Sequence, residues 1–227
     1  MTTDLAARAP ARAPVRLLAV VGTLAVVGTV TMIGSLDLYR ALTTPATLRR
    51  TISEYALGPQ RWVFDVGVGL LVVGSLAILA VLVRRRLAGT GGAVAMVAWA
   101  VGLALVVVFP KHNWAVGGSG ASGTVHRVAS LVAFVSLPIA AVLLARPWAR
   151  GDRHARWVVR FGVVSALAFT PILYAVLVNA VVGTAWWRVV PLGYVERVLV
   201  VTEVATVLVI GLWAVAQSRY RPSSTSR

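Results

Sequence analysis

The sequence predicts an all-α fold: a polytopic membrane helix bundle, with six transmembrane helices and a short amphipathic outer helix between spans 1 and 2. Hydrophobic residues make up 59% of the 227 residues and charged residues only 13%. The mean hydropathy is +0.84, which is typical of multi-pass membrane proteins. Six apolar runs approach the roughly 20 residues that a helix needs to cross a bilayer. Arginine, proline and glycine concentrate between these runs, where helices end.

The first span is predicted at 17–36, after an N-terminal tail, 1–16, that is rich in alanine, proline and arginine and is expected to be disordered. A cleaved signal peptide is the competing interpretation, because three arginines in the tail resemble its basic start. The apolar run, however, exceeds the roughly 7–15 residues of a signal-peptide core. We therefore expect an uncleaved first span.

The segment between the first two spans predicts a separate helix at 45–57. Thr44 is suited to the N-cap, Pro45 to the first helical position and Gly58 to the helix end. Apolar residues recur at helical spacing on one face, and polar residues, including an i, i+4 pair of opposite charge, lie elsewhere. The apolar stripe is Leu48, Ile52 and Tyr55, and the charge pair is Arg50 and Glu54. We expect this helix to cover the outer mouth of the bundle.

The remaining spans complete one membrane domain, 17–216. They are predicted at 62–83, 92–109, 125–145, 157–182 and 192–216, followed by a cytoplasmic C-terminal tail at 217–227. Pro138 and Pro171 lie inside spans, where a proline removes a backbone donor and kinks the helix. Rows of glycine in the first two spans, Gly22 and Gly28 with Gly67, Gly69 and Gly74, predict close helix packing.

Charge and composition narrow the location and the chemistry. Fourteen of the 22 lysine and arginine residues lie on the side of the two termini and eight on the other side. The positive-inside rule therefore predicts cytoplasmic termini in a bacterial plasma membrane. The net charge of +15 is explained by topology and anionic lipid headgroups, not by nucleic acid. The absence of cysteine excludes disulfides, iron–sulfur clusters and thiolate metal sites.

Unusual polar residues concentrate in the predicted outer half of the bundle. We expect them to form a pocket that contains Asp65, His126, Arg127, Asn179, Glu196, Arg197 and Glu203, with Ser53 and Glu54 facing it from the outer helix. Glu203 lies eleven residues into its span, about 16 Å deep. A carboxyl group there is either a buried structural group or a ligand or ion site. Arg197 either reaches the headgroups or clamps an anion together with Arg127.

Two kinds of catalytic site are conceivable with these residues: a metal site and a serine triad. Two histidines, His112 and His126, flank one outer loop, and acidic residues could complete a metal site, but no HExxH motif is present and His154 lies on the opposite side. Ser53 could act with a histidine and Asp65, although no GxSxG motif occurs. We therefore expect no metal and no cofactor, and the sequence leaves open whether the protein is an enzyme.

An ordered series of motifs resembles a known family. The motifs are ISEYALG after the first span, FPKH ending the third, HRVASLVAFVSLPIAA opening the fourth, RHARW before the fifth and GYVERV opening the sixth. Together they resemble the bacterial family of domain of unknown function 998. The resemblance implies a six-span inner-membrane protein and carries Ser53, Glu54, His126, Glu196 and Arg197 over as site candidates. Lys111 stands where that family tends to have an acidic residue.

Three functions fit these observations. The favoured one is binding of a lipid or small amphipathic ligand in the outer polar pocket, with membrane lipids as partners. The first alternative is a proton- or ion-coupled transporter that uses Glu203. The second alternative is an outer-face lipid hydrolase that uses His126 with Ser53 or a metal.

Overall fold

The computed structural model describes residues 13–46, 50–112, 120–183 and 189–219, and within these ranges every element is helical. In chain order the elements are α1 (Ala13–Thr43), a 3-10 helix (Ile52–Leu57), α2 (Arg61–Arg84), α3 (Thr90–Val108), α4 (Ala121–Ala145), α5 (Arg153–Ala168), α6 (Thr170–Val182) and α7 (Leu192–Arg219). The predicted all-α class is confirmed.

Within the described residues, six helical segments are long and apolar enough to cross a membrane. Five of them are single helices, and α5 and α6 together form the remaining one, Arg153–Val182. The chain is therefore a multi-pass membrane protein with six spans, as predicted.

The two ends of the helix bundle are named here by the helix ends that they contain. The terminal end holds the start of α1 and the end of α7, and the polar end holds the end of α1, the 3-10 helix and the start of α7.

Several helices extend beyond the predicted spans. α1 continues to Thr43 instead of ending near residue 36, because apolar side chains such as Leu38 and Leu42 still face outward, 60% and 75% exposed. Of the predicted N-terminal tail, residues 13–16 are helical and the others lie outside the described residues. Of the predicted C-terminal tail, residues 217–219 belong to α7 and the others also lie outside them.

The amphipathic outer helix predicted at 45–57 is not formed as one element. Thr51 has an extended backbone, with φ −71° and ψ 153°, so the helix that follows it is a six-residue 3-10 helix that ends at Leu57, with Gly58 as its C-cap. The break arises because the N–H of Ile52 donates to the Glu196 carboxylate, 2.9 Å away, instead of to an upstream carbonyl. Leu48, which was assigned to the apolar stripe, lies outside the described residues.

Two pairs of helices pack side by side, and α7 joins them. α1 packs against α2, α3 packs against α4, and α7 contacts α1, α2, α4 and α5. Glycines make the α1–α2 contact close: a Cβ added to Gly74 would lie 2.7 Å from the carbonyl oxygen of Gly22. Gly69, in contrast, has nothing within 4 Å of such a Cβ. The predicted glycine packing therefore holds at Gly74 but not at Gly69.

The fifth span is broken where Pro171 enters it. α5 ends at Ala168 and α6 begins at Thr170, whose hydroxyl donates to the carbonyl of Leu167 over 2.7 Å. That hydroxyl replaces the backbone donor that Pro171 lacks. Beyond the break, Ala175 is the only buried residue among the thirteen described residues of α6. α6 is thus loosely attached to the bundle, and most of its surface faces outward.

At the terminal end, Asp152 fastens the start of α5 to α7. Its carboxylate accepts the N–H groups of His154 and Ala155 at the start of α5, and the indole N–H of Trp213 (2.7 Å) and the amide of Gln217 from α7. Burial alone would raise the pKa of Asp152, but these hydrogen bonds outweigh it and hold that pKa below its ordinary value of 3.8.

Replacing Asp152 with alanine is expected to lower the free energy of unfolding by about 2 kcal/mol, because a helix cap and two charged hydrogen bonds are lost. Since the folded-state pKa is depressed, this contribution is present above pH 3.8 and is lost as the pH falls through the folded-state pKa. Thermal unfolding in detergent over a pH series measures it, with exposed Arg153→Ala as the control. A stability difference that stays constant on acidification would contradict the assignment.

Candidate functional site

A cavity of about 540 Å³ opens at the polar end, between α4, α6, the start of α7 and the segment before the 3-10 helix. Its lining divides into a polar part and an apolar part. The polar part comprises Arg50, Thr51, Ser53, Glu54, Lys111, His112, His126, Arg127, Ser130 and Glu196, and the apolar part comprises Leu131, Phe134, Phe169, Ile172, Val176 and Leu192. The cavity is therefore amphipathic.

The gradient from polar to apolar follows from residue spacing on two helices. Arg127, Leu131 and Phe134 recur at i, i+4 and i+7, so they share one face of α4 with the charge nearest the polar end. Ile172 and Val176 are one turn apart on α6 and line the opposite wall. A ligand between α4 and α6 would thus meet a cationic group at one end and apolar side chains along its length.

The polar part of the lining is tied together by Lys111. Its ammonium group donates to the hydroxyl of Thr51 and to the carboxylate of Glu54, 3.2 Å away. The Lys111 side chain is only 17% exposed, so its charge lies within the cavity wall. The ring of His126 is buried and its Nδ1 lies 2.9 Å from the carbonyl oxygen of Phe109. Lys111 and His126 thus connect the end of α3 with the start of α4 and the 3-10 helix.

Glu196 holds the 3-10 helix against α7. Its Oε2 accepts the backbone N–H of Ile52 over 2.9 Å. Ser53 lies beside this contact and donates its hydroxyl hydrogen to Thr51 Oγ1, 3.1 Å away. Ile52 itself is buried, whereas Ser53 and Glu54 line the cavity. The segment from Thr51 to Glu54 therefore forms part of the cavity wall. It is held by Glu196 of α7 on one side and by Lys111 on the other.

Behind the cavity, three residues form a group that we call the clasp: Asp37 on α1, Tyr55 in the 3-10 helix and Arg197 on α7. The guanidinium of Arg197 donates to both oxygens of Asp37, at 2.8 and 2.7 Å, and the Tyr55 hydroxyl donates to Asp37 Oδ1. Burial and the hydrogen bond to Asp37 raise the pKa of Tyr55 to about 12. Tyr55 therefore keeps its proton and remains a donor at neutral pH.

Sequence reasoning missed Asp37 and assigned Tyr55 only to an apolar stripe. The signal was available, because Asp37 is the one acidic residue of α1 and lies near the same end as Arg197. Arg197 also donates to the backbone carbonyls of Arg50 and Gly193. In the clasp the Arg197 side chain is paired with protein groups, whereas Arg127 lines the cavity.

The structure brings together five of the nine site candidates. Ser53, Glu54, His126, Arg127 and Glu196 line the cavity; Asp65, Asn179, Arg197 and Glu203 are not among its lining residues. Asp65 pairs with Arg61 on its own helix at 3.0 Å. Glu203 is fully buried within the bundle. The cavity thus contains only part of the predicted pocket and lies at the polar end.

Neither catalytic constellation is assembled in the part of the chain that the structure describes. No group of three histidine, aspartate or glutamate side chains is placed to hold a metal ion there. The Ser53 hydroxyl is hydrogen-bonded to Thr51, and the Asp65 carboxylate is hydrogen-bonded to Arg61. Ser53 and Asp65 therefore do not join a histidine in a triad.

The fold and the cavity define a class: a six-span helical membrane protein with an amphipathic cavity at one end. Residues 26–213 match the family described as "Protein of unknown function (DUF998)". The match spans most of the chain, so the protein belongs to this family, and the resemblance seen in the sequence motifs is confirmed. No curated protein and no solved structure matches the chain.

Proposed function

We propose that the protein binds a lipid or a small amphipathic ligand in the cavity at the polar end. The observation that carries the proposal is the lining itself, which changes from charged to apolar along one face of α4. A volume of about 540 Å³ lies within the range of roughly 300–1,000 Å³ that small-molecule sites occupy. Its shape suits a headgroup and the adjoining part of an acyl chain.

The charged part of the lining favours an anionic headgroup. Arg50 and Arg127 line the cavity as exposed side chains. Lys111 adds a third positive charge, which is paired with the Glu54 carboxylate. Arg127 contacts Thr124 at 3.4 Å, a long hydrogen bond that a ligand oxygen could replace. A guanidinium group suits the oxygens of a phosphate or carboxylate. Arg127 is therefore the residue assigned to the headgroup.

The apolar part of the lining favours entry from the bilayer. The helix is interrupted at Phe169, between α5 and α6, and α6 has a single buried residue among those described. The gap between α4 and α6 is bordered by Leu131 and Phe134 on one side and by Ile172 and Val176 on the other. An acyl chain in this gap would replace lipid contacts with protein contacts and would keep its headgroup at the polar end.

The charge asymmetry supports an orientation for this site. Counted along the sequence, fourteen of the 22 arginine and lysine residues fall on the predicted side of the two termini and eight on the other side. The positive-inside rule then places both termini in the cytoplasm and the cavity in the outer leaflet of a plasma membrane. Cysteine-accessibility labelling of whole cells, with single cysteines introduced at Ser53 and at Arg150, tests this orientation, because only the former should be labelled from outside.

Binding is tested by native mass spectrometry of the purified protein with added phosphatidylglycerol or phosphatidylcholine. Arg127→Ala is expected to reduce phosphatidylglycerol binding about tenfold, since it removes one charged hydrogen bond. Ile172→Trp should reduce binding, because the larger side chain fills the apolar gap. Leu173→Trp makes the same kind of change at the adjacent, lipid-facing position and should leave binding unchanged. Exposed Arg156→Ala at the terminal end controls for loss of charge. Equal lipid retention in all four variants would refute the proposal.

A further inference from the structure

A groove of about 330 Å³ lies at the terminal end, between α5 and α7. His154, Trp157 and Phe161 of α5 form one wall, and Val209 and Leu212 of α7 form the other. We call this recess the α5–α7 groove. It shares no lining residue with the cavity at the polar end. The ligand proposed for that cavity therefore does not account for the groove.

The α5 wall of the groove is a single helical stripe. His154, Trp157 and Phe161 recur at i, i+3 and i+7, so they share one face of α5. The rings of Trp157 and Phe161 have centroids 6.3 Å apart and are tilted by 51°. Seven residues of helix correspond to about 10 Å along the axis. The groove thus runs from the start of α5 toward the middle of the membrane domain, with two aromatic rings along its length.

Both walls of the groove belong to segments that cross the membrane, Arg153–Val182 and Leu192–Arg219. On the outside of the bundle, Trp157 is 45% exposed and Leu212 is 56% exposed. Apolar side chains that are exposed on a membrane-spanning helix face lipid, and tryptophan is common near the ends of spans, at the level of the headgroups. The material that fills the groove is therefore the acyl chain of a membrane lipid.

Two arginines border the aromatic stripe. Arg153 and Arg160 are seven residues apart, so they share a face of α5 that adjoins Trp157, and both are exposed. The guanidinium of Arg160 lies over the Trp157 ring, 4.9 Å from its centroid, in a cation–π contact. Since Trp157 is nearly one turn closer to the start of α5, this contact holds the charge of Arg160 toward the terminal end, where a headgroup lies.

The protein offers little negative charge to offset these arginines. Among the described residues, neither Arg153 nor Arg160 forms an ion pair. Asp152 is the only acidic residue between positions 145 and 191. Its carboxylate accepts hydrogen bonds from Trp213 and Gln217 of α7. The end of the groove nearest the terminal end is therefore cationic, and a guanidinium group suits the oxygens of a phosphate.

We propose that the α5–α7 groove binds an anionic phospholipid. One acyl chain lies against Trp157, Phe161 and Leu212, and the phosphate accepts hydrogen bonds from Arg153 and Arg160. A zwitterionic lipid also has a phosphate, but its ammonium group would be repelled by the same arginines, so the site prefers a lipid with net negative charge. The groove and the cavity lie at opposite ends of the bundle, so they hold lipids of opposite leaflets.

Native mass spectrometry of lipid-depleted protein tests this site by counting the phosphatidylglycerol molecules that bind, with phosphatidylcholine as the comparison lipid. Arg160→Ala should weaken the binding of one phosphatidylglycerol about fivefold, because one basic group near the headgroup is lost. Arg156→Ala is the matched control. It removes the same charge from the same helix, but Arg156 is rotated by about 100° or more from each α5 residue of the groove, so binding should be unchanged.

A second pair of variants tests the apolar part of the groove. Leu212→Trp fills the groove and should weaken phosphatidylglycerol binding at least as much as Arg160→Ala does. Leu167→Trp makes the same change at a position that is 62% exposed and does not line the groove, so it should bind as the wild type does. All four substituted side chains are exposed, so the variants should melt as the wild type does.

The polar-end cavity is kept out of this measurement by repeating the series in an Arg127→Ala background, where the loss caused by Arg160→Ala should persist. Equal losses in Arg156→Ala and Arg160→Ala would show a diffuse attraction to a basic surface and would overturn the site. Unchanged binding in both Arg160→Ala and Leu212→Trp would also overturn it, whether or not a lipid binds in the cavity.

Discussion

Replacing Arg197 with alanine is expected to lower the free energy of unfolding by about 3 kcal/mol. The substitution removes both hydrogen bonds to Asp37 and leaves that carboxylate, only 22% exposed, without its cation. Breaking a buried pair by removing one partner costs roughly 3–5 kcal/mol, and the partial exposure of this pair places it at the lower limit. The same substitution releases the carbonyl of Arg50, so the segment next to the cavity should loosen as well.

Unfolding monitored in detergent measures this loss, and a second arginine–aspartate pair provides the control. Arg61 and Asp65 are 3.0 Å apart on α2, but the arginine is 49% exposed, so Arg61→Ala should cost at most about 1 kcal/mol. In a double-mutant cycle, Asp37→Asn combined with Arg197→Ala should cost less than the two single substitutions added together. Equal losses for the two arginine variants would contradict the role assigned to the clasp.

Replacing Gly74 with alanine is expected to destabilise the protein by about 2–3 kcal/mol, although alanine is the better helix former. The added Cβ would lie 2.7 Å from the carbonyl oxygen of Gly22 and 3.0 Å from Val26 Cγ2. The nearest of these atoms belongs to the backbone, so it cannot move aside as a side chain could. α1 and α2 would have to separate at their crossing.

Gly69→Ala is the matched control for this effect, since it makes the same chemical change on the same helix. Its added Cβ has nothing within 4 Å, so stability should be unchanged or should rise by up to about 1 kcal/mol from helix propensity alone. Thermal unfolding of the two variants side by side separates packing from propensity. A Gly74→Ala variant as stable as Gly69→Ala would show that the α1–α2 contact is looser than described.

The number and order of the membrane spans could be predicted because hydropathy and span length are local properties. The ends of α1 could not be predicted in the same way. Apolar residues after Leu36 extend the helix to Thr43, and nothing in the local pattern separates a lipid-facing turn from a connector. The outer helix was mispredicted for a different reason. Its N-terminal signals were local, but the carboxylate that shapes the backbone at Ile52 comes from α7.

The candidate site could be predicted only in part. Ser53 and Glu54 were placed at the cavity from their position in the segment, and the structure locates them there. The pairing of Asp37 with Arg197 required knowledge that α1 lies beside α7, which a single sequence does not contain. Asp65 was predicted in the pocket because it lies near the outer end of its span. Its carboxylate instead pairs with Arg61 on the same helix and does not line the cavity.

The clasp joins the first span to the last, and this has a consequence for how the protein is made. Asp37 and Arg197 are separated by 160 positions in the chain, and Ile52 and Glu196 by 144. A ribosome releases Asp37 and Ile52 long before their partners, because synthesis proceeds from the N-terminus. A nascent chain that still lacks α7 therefore cannot close the wall of the cavity. The cavity wall is completed only when the final span has entered the membrane, so a chain truncated before α7 lacks both the clasp and the Ile52–Glu196 contact.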